Sequence, residues 1–308
     1  MTSTSLWRGV LEPLEAEGIV ARVVPAERLE EVRARADEAM TAAGFAPAVI
    51  ARIRLDIEHG FPQTEHPVRS VVVAARGRPL TQADLTWHGE SRRVLVPPHY
   101  AGYRDVPRAM ARRVDELLRP AGFGATLHQP PLKTLATCSG LARYGRNNVA
   151  YVPGLGSWLQ FGACVSDAPP PDDAAWGDPQ LVDRCERCSA CLRVCPTGAI
   201  GGDRFVLHTD RCLTWHNESE DPFPDWLETA VHHCAVGCLR CQQVCPENVH
   251  AELVRAIPER FDEAETATIV AGDDGQALSP ATRAKLARCG LDYSLALIAR
   301  NLRLLLEA

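Results

Sequence analysis

The chain has 308 residues, 46% of them hydrophobic and 23% charged, which is the balance of a folded globular protein and excludes a disordered one. Its formal charge of −6 argues against a dominant nucleic-acid-binding surface. The longest apolar run, Val71 to Ala75, falls far short of the ~20 residues of a membrane-spanning helix, and Met1 to Arg8 has no apolar core before a cleavage site, so the expected location is the cytoplasm, away from any membrane.

In chain order, Leu6 to Glu17 reads as a helix, Ile19 to Val24 as a strand, and Ala26 to Ala43 as a helix ended by Gly44. The β-branched run from Val68 to Ala75 is the strongest strand signal, and residues 79–99 are less regular. A helix opening at Asp105 or Pro107 runs to Leu118 and stops at Pro120-Ala121-Gly122; Ala125 to Leu127 is a short strand before the Pro130-Pro131 break. Val165 to Gly177 reads as a connecting loop. Beyond Ala251 the pattern is helical again, with a Gly272-Asp273-Asp274-Gly275 turn, a helix capped by Ser279-Pro280, and an apolar helix from Leu291 to Leu306. The expected class is α+β: a mixed-sheet domain over 1–180, a ferredoxin-like module over 181–250, and a short helical tail over 251–308.

The cysteines carry the chemistry. Cys185, Cys188, Cys191 and Cys195-Pro196 have the spacing of a bacterial 4Fe-4S run, in which three thiolates hold corners of one cubane and the fourth ligates its neighbour. A second half supplies Cys234, Cys238, Cys241 and Cys245-Pro246, with Cys212 between. Because the second half lacks a third Cys-x2 step, Cys212 is the natural replacement. The spacing assigns Cys185, Cys188, Cys191 and Cys245 to one cluster, and Cys195, Cys212, Cys238 and Cys241 to the other, leaving Cys234 spare. Zinc is the competing reading, but paired Cys-x2-Cys zinc sites need neither the Cys-Pro endings nor a third consecutive step. Cys138, Cys164 and Cys289 read as buried small hydrophobes. Upstream, Gly140, Gly145, Gly154, Gly156 and Gly162 mark backbone that turns sharply or approaches something closely, either as surface loops or as loops against a flat cofactor.

Around these positions the sequence resembles the epoxyqueuosine reductases, cobalamin-dependent iron-sulfur enzymes of tRNA modification that are related to reductive dehalogenases. The resemblance lies in Cys195-Pro196-Thr197-Gly198-Ala199, in Cys212, and in Gly237-Cys238-Leu239-Arg240-Cys241-Gln242-Gln243-Val244-Cys245-Pro246-Glu247-Asn248. It continues in Gly140-Leu141-Ala142-Arg143-Tyr144-Gly145-Arg146-Asn147 and in Gly156-Ser157-Trp158. It implies that Gly140, Leu141, Arg143, Tyr144, Gly145, Arg146, Asn147, Gly156, Ser157 and Trp158 line a cobalamin site. In the family an acid stands in a D-T-x-P context; here Leu127-His128-Gln129-Pro130 falls there, which makes His128 the candidate proton donor, with Tyr100 its alternate.

The family's Tyr-His pair after Tyr100-Ala101-Gly102-Tyr103-Arg104-Asp105 is missing, and the stretch after Cys245 is short for a tRNA-holding repeat domain. The expected function is therefore an iron-sulfur oxidoreductase. It would pass electrons from a ferredoxin or flavodoxin through two clusters to a corrinoid that reduces a small organic substrate. A ferredoxin-like carrier without corrinoid and a tRNA epoxyqueuosine reductase are the alternatives.

Overall fold

Val71 to Ala75 can be apolar at every position only if both faces of the strand are covered. A computed structural model, describing residues 2–55, 64, 67–202, 205–249, 255–272 and 278–307, shows how. The chain divides into two units, Met1–Gly77 with Arg104–Ser189, and Arg78–Tyr103 with Ala190–Ala308. The predicted turn at Gly272 runs on into residues 273–275, which lie outside the described residues.

In the first unit, β2 (Ser70–Gly77) lies between β1 (Ile19–Pro25) and β8 (Leu159–Ser166), and β5 (Ala125–Leu127) flanks β8. Val71, Val73 and Ala75 face helices α2 (Arg28–Ala42) and α5 (Leu132–Cys138) through Leu29, Val32 and Leu135. Val72 and Ala74 face α1 (Ser3–Ala16) and α4 (Asp105–Leu118) through Trp7, Leu14, Met110 and Val114. Every pairing in this sheet is antiparallel, which corrects the expected mixed sheet. The reading of Val165 to Gly177 as loop also needs correcting, because β8 runs to Ser166. Gly162 obscured that strand; it sits opposite Ala74 where α4 comes close, and an added Cβ would stand 2.6 Å from Met110 Cε and 3.0 Å from Pro107 Cα. Helix α3 (Pro47–Leu55) had no sequence reading.

The second unit holds a hairpin that the sequence did not announce, β3 (Thr81–Trp87) with β4 (Glu90–Val96). Its two-residue turn takes positive φ at both His88 and Gly89, as the tight primed turns require, and both N–H groups donate to the Glu263 carboxylate at 2.8 and 3.1 Å. Ala83, Leu85, Val94 and Val96 form one apolar face, while Asp84 and Arg93 pair at 2.7 Å on the other. Strand β9 (Glu259–Phe261) adds parallel to β3. The helices α9 (Glu263–Ala271), α10 (Pro280–Cys289) and α11 (Leu295–Glu307) cover the apolar face with Ile269, Leu286, Ile298 and Leu302. The C-terminal stretch is therefore core rather than an appended tail. A capping box at Asp262 and Glu265 starts α9, and Ser279 caps α10 as predicted. The architecture is α+β. Among the described residues no helix is long and apolar enough to cross a membrane.

Candidate metal centre

Short helices carry the cysteines in the second unit: α6 (Ala190–Val194) holds Cys191, α7 (Leu213–Asn217) begins just after Cys212, and α8 (Arg240–Gln243) holds Cys241. Helices α6 and α8 pack together, as the two-halved sequence pattern implies. Cys212 stands at the N-cap position of α7. Burial raises the Cys212 thiol, opposed by the Thr214 and Trp215 main-chain N–H groups, with Cys195 adding to the rise. Burial also pushes Cys238 up to about 12; the Arg240 N–H opposes this, and Cys212 and Cys195 add to it. Cys195, Cys212 and Cys238 thus lie within electrostatic reach of one another. Half-buried thiols whose ionised forms would repel can ionise together where a metal group takes up their charge, so these residues fit a cluster.

Among the described residues no three His, Cys, Asp or Glu side chains are gathered for a single ion. In a cubane each thiolate binds its own iron, so its ligands are held apart. His233 accepts the Leu239 N–H at Nε2 (3.2 Å) and lies 3.9 Å from Cys238 Sγ, while His232 packs edge-on to Phe223, its pKa lowered to about 4 by burial and then Arg300. Cys234 is buried beside the Leu95 bridge, and burial raises its thiol well above the usual value. Cys138, Cys164 and Cys289 are buried, as read from the sequence.

Asn217 and Asn301 escaped the sequence reading. Asn301, 1% exposed, donates through Nδ2 to the carbonyls of Asn217 (2.9 Å) and Ala235 (3.0 Å), and Asn217 donates to the Gly237 carbonyl (2.9 Å). These bonds tie the helix after Cys212 to the segment carrying Cys238. The available signal was a polar residue inside the apolar stripe of Leu297, Ile298 and Leu302.

Cys185 and Cys188 belong to the first unit, with the upstream loops. Gly140 ends α5 in the left-handed conformation (φ 71°), and strands β6 (Arg143–Tyr144) and β7 (Ala150–Tyr151) flank a turn at Gly145 to Asn148. A Cβ on Gly145 would fall 2.5 Å from Asn147 Oδ1 and from the Tyr151 ring. Asn147 donates to the Tyr151 hydroxyl at 2.9 Å. Burial raises the Tyr144 phenol, with hydrogen bonds to Thr134 and Thr137 opposing. Leu141, Tyr144, Asn147, Ser157 and Trp158 are buried and Gly145 and Gly156 enclosed, whereas Gly140 and Arg143 are exposed and Arg146 half-buried. What these positions offer a ligand is main chain. An added Cβ at Gly140 or Gly154 would meet no heavy atom within 4 Å, so the backbone there is open to a flat group.

Residues 143–146 are zipped to the segment leading into the first cysteines. Tyr144 N–H donates to Gln180 O (2.9 Å), Val182 N–H to Tyr144 O (2.8 Å), and Arg143 pairs with Asp183 (2.6 Å). Arg146 donates from its main chain to Cys185 Sγ (3.5 Å) and from its guanidinium to Cys185 O (2.6 Å).

His128 belongs to the first unit, 2% exposed, and its N–H donates to Ala163 O, continuing the β5–β8 pairing. Tyr100 belongs to the second unit, where it packs against the core and its hydroxyl donates to Glu218; burial, then the Glu218 charge, raises the phenol well above its usual range.

Residues 184–248 match the family described as a 4Fe-4S double cluster binding domain. An epoxyqueuosine reductase of Synechococcus sp. (strain CC9605) is 34% identical over 159 residues, covering 50% of this chain and 46% of the relative. One from Staphylococcus aureus is 28% identical over 221 residues, covering 67% and 54%. The matches thus span about half the length of these relatives. Among solved structures, a selenomethionine-labelled epoxyqueuosine reductase superposes with a TM-score of 0.65 at 18% identity, covering 99% of this chain and 82% of that one. The Streptococcus thermophilus enzyme gives 0.59 at 16%, covering 97% and 80%. Both share the fold.

Proposed function

We propose that this chain, which resembles the epoxyqueuosine reductases and carries a 4Fe-4S double cluster binding domain, is a cytoplasmic iron-sulfur reductase with a corrinoid site. Its substrate in this reading is the epoxide of a queuosine precursor in tRNA. The match of residues 184–248 to a 4Fe-4S double cluster binding domain carries the redox half of the proposal. The names of the relatives carry the substrate, and they run against the small organic acceptor expected from the sequence. One solved relative is bound to an epoxyqueuosine-modified tRNA stem loop.

Removing an epoxide oxygen breaks two carbon–oxygen bonds, forms a carbon–carbon double bond, and consumes two electrons and two protons with release of water. A low-potential donor such as a ferredoxin or flavodoxin supplies the electrons singly. When bound, a corrinoid supplies a cobalt centre able to cleave carbon–oxygen bonds. The open backbone at Gly140 and Gly154 is where this chain would receive that flat group. His128 is the candidate proton donor. Tyr100 suits that role less, because its raised phenol is held by Glu218.

The test is metal analysis of anaerobic protein, followed by reaction with a strong reductant and an epoxyqueuosine-bearing stem loop. Expected are about eight iron atoms per chain, cobalt near equimolar with protein, and loss of the epoxide by nucleoside analysis. In His128→Ala, metal content should stay unchanged while turnover falls by about 10²-fold. Iron without cobalt, and an untouched epoxide, would leave an electron carrier and refute the proposal.

A further inference from the structure

We infer that Arg146 sets the reduction potential of the cluster that Cys185 ligates; the inference rests on Cys185 being a cluster ligand. A reduced cubane carries one more negative charge than an oxidised one, so donors and cations at its ligand sulfurs stabilise the reduced state and raise the potential. Arg146 brings two donors to one ligand and holds a third on the same guanidinium. Its main-chain N–H lies 3.5 Å from Cys185 Sγ, and its guanidinium holds the Cys185 carbonyl at 2.6 Å. The third, Nε, is buried with no hydrogen-bond partner. A clamp for the backbone alone needs only the bond to the carbonyl and leaves a buried donor idle at a cost in free energy. A donor kept free beside a cluster ligand has a use once an anionic cluster is present.

The geometry is preorganised. The Gly145 N–H donates to Val149 O at 2.7 Å and the Asn148 N–H to Gly145 O at 2.9 Å, closing the turn that aims Arg146. Tyr144 and Arg143 fasten residues 180–183 to the same strand, so Cys185 is held against Arg146 by a continuous run of pairs. The loop that follows Gly140, where the proposed function receives the corrinoid, is thereby joined directly to a cluster ligand. Arg146 is a positioning residue in this scheme and touches no substrate.

The test is an anaerobic redox titration of the holoprotein, followed by electron paramagnetic resonance, on wild type, Arg146→Gln and Arg146→Lys. In Arg146→Gln the reduced-to-oxidised ratio of one cluster at fixed potential should fall about tenfold, equivalent to 59 mV for a one-electron couple, while the other cluster stays put. Arg146→Lys keeps the charge and should shift less in the same direction. Full iron with both midpoints unchanged in both variants would overturn the inference and leave the cluster reading intact. Wild type that cannot hold two clusters would overturn the cluster reading and the inference with it. Loss of iron from both variants would reduce Arg146 to a structural clamp, which also overturns it; if only the glutamine variant loses iron, the lysine variant's midpoint decides.

Discussion

Replacing Asn301 with alanine should loosen the second cluster from a distance. The Asn301 Nδ2 serves two buried carbonyls, Asn217 at 2.9 Å and Ala235 at 3.0 Å, and its Oδ1 accepts from Arg300 at 2.9 Å. Truncation withdraws a donor from each carbonyl where water cannot reach. At about 1–3 kcal/mol for each unsatisfied group, partly offset by relaxation, the local cost is about 2–4 kcal/mol. At 1.4 kcal/mol per factor of ten, that raises the opening equilibrium of the Cys212 and Cys238 segments by about 30- to 700-fold. The assay is anaerobic release of iron to a ferrous chelator, in which the second cluster should become the fast phase. Asn301→Asp keeps an acceptor for Arg300 but turns a carboxylate oxygen toward both carbonyls, so its release should be at least as fast. Iron loss at the wild-type rate from Asn301→Ala would refute the tie between α11 and the cluster segments.

Three further outcomes are expected. Cys212→Ser should retain about four of about eight irons, while Cys234→Ser keeps both clusters because its thiol is packed in the core; an unaltered iron content in Cys212→Ser would sink the ligand assignment. Gly162→Ala should destabilise the first unit by about 1–3 kcal/mol through overpacking against Met110 and Pro107 without changing iron content, measured as the denaturation midpoint. Cys164, pushed up to about 12 by burial from an ordinary value of 9.0, favours its neutral form in the fold. Its contribution is complete below pH 9 and is lost as pH rises toward 12, so the stability advantage of wild type over Cys164→Ala should shrink from pH 9 upward. An advantage that stays constant between pH 7 and pH 11 would contradict the burial.

The sequence by itself determined whatever rests on local spacing or composition. The Cys-x2-Cys-x2-Cys-x3-Cys-Pro step names its metal group because ligand reach along a short helix is a local property, and the match over residues 184–248 agrees. The α1, β1, α4 and β5 elements and the Ser279 cap were legible for the same reason. Only the tertiary structure decided where polar and small residues break a pattern to serve a distant neighbour. Gly162 disguises a central strand because α4 needs its missing side chain. The β3–β4 hairpin takes its meaning from Glu263, which binds its turn, and from β9, which pairs with it. Asn301 looks like an ordinary helix residue until Asn217 is placed beside it, and Arg146, which the resemblance set against a cofactor, shows its bond to Cys185 only in the fold. A local period records which face of an element is apolar, but a buried hydrogen bond between residues far apart in the chain exists only once folding has brought its two ends together.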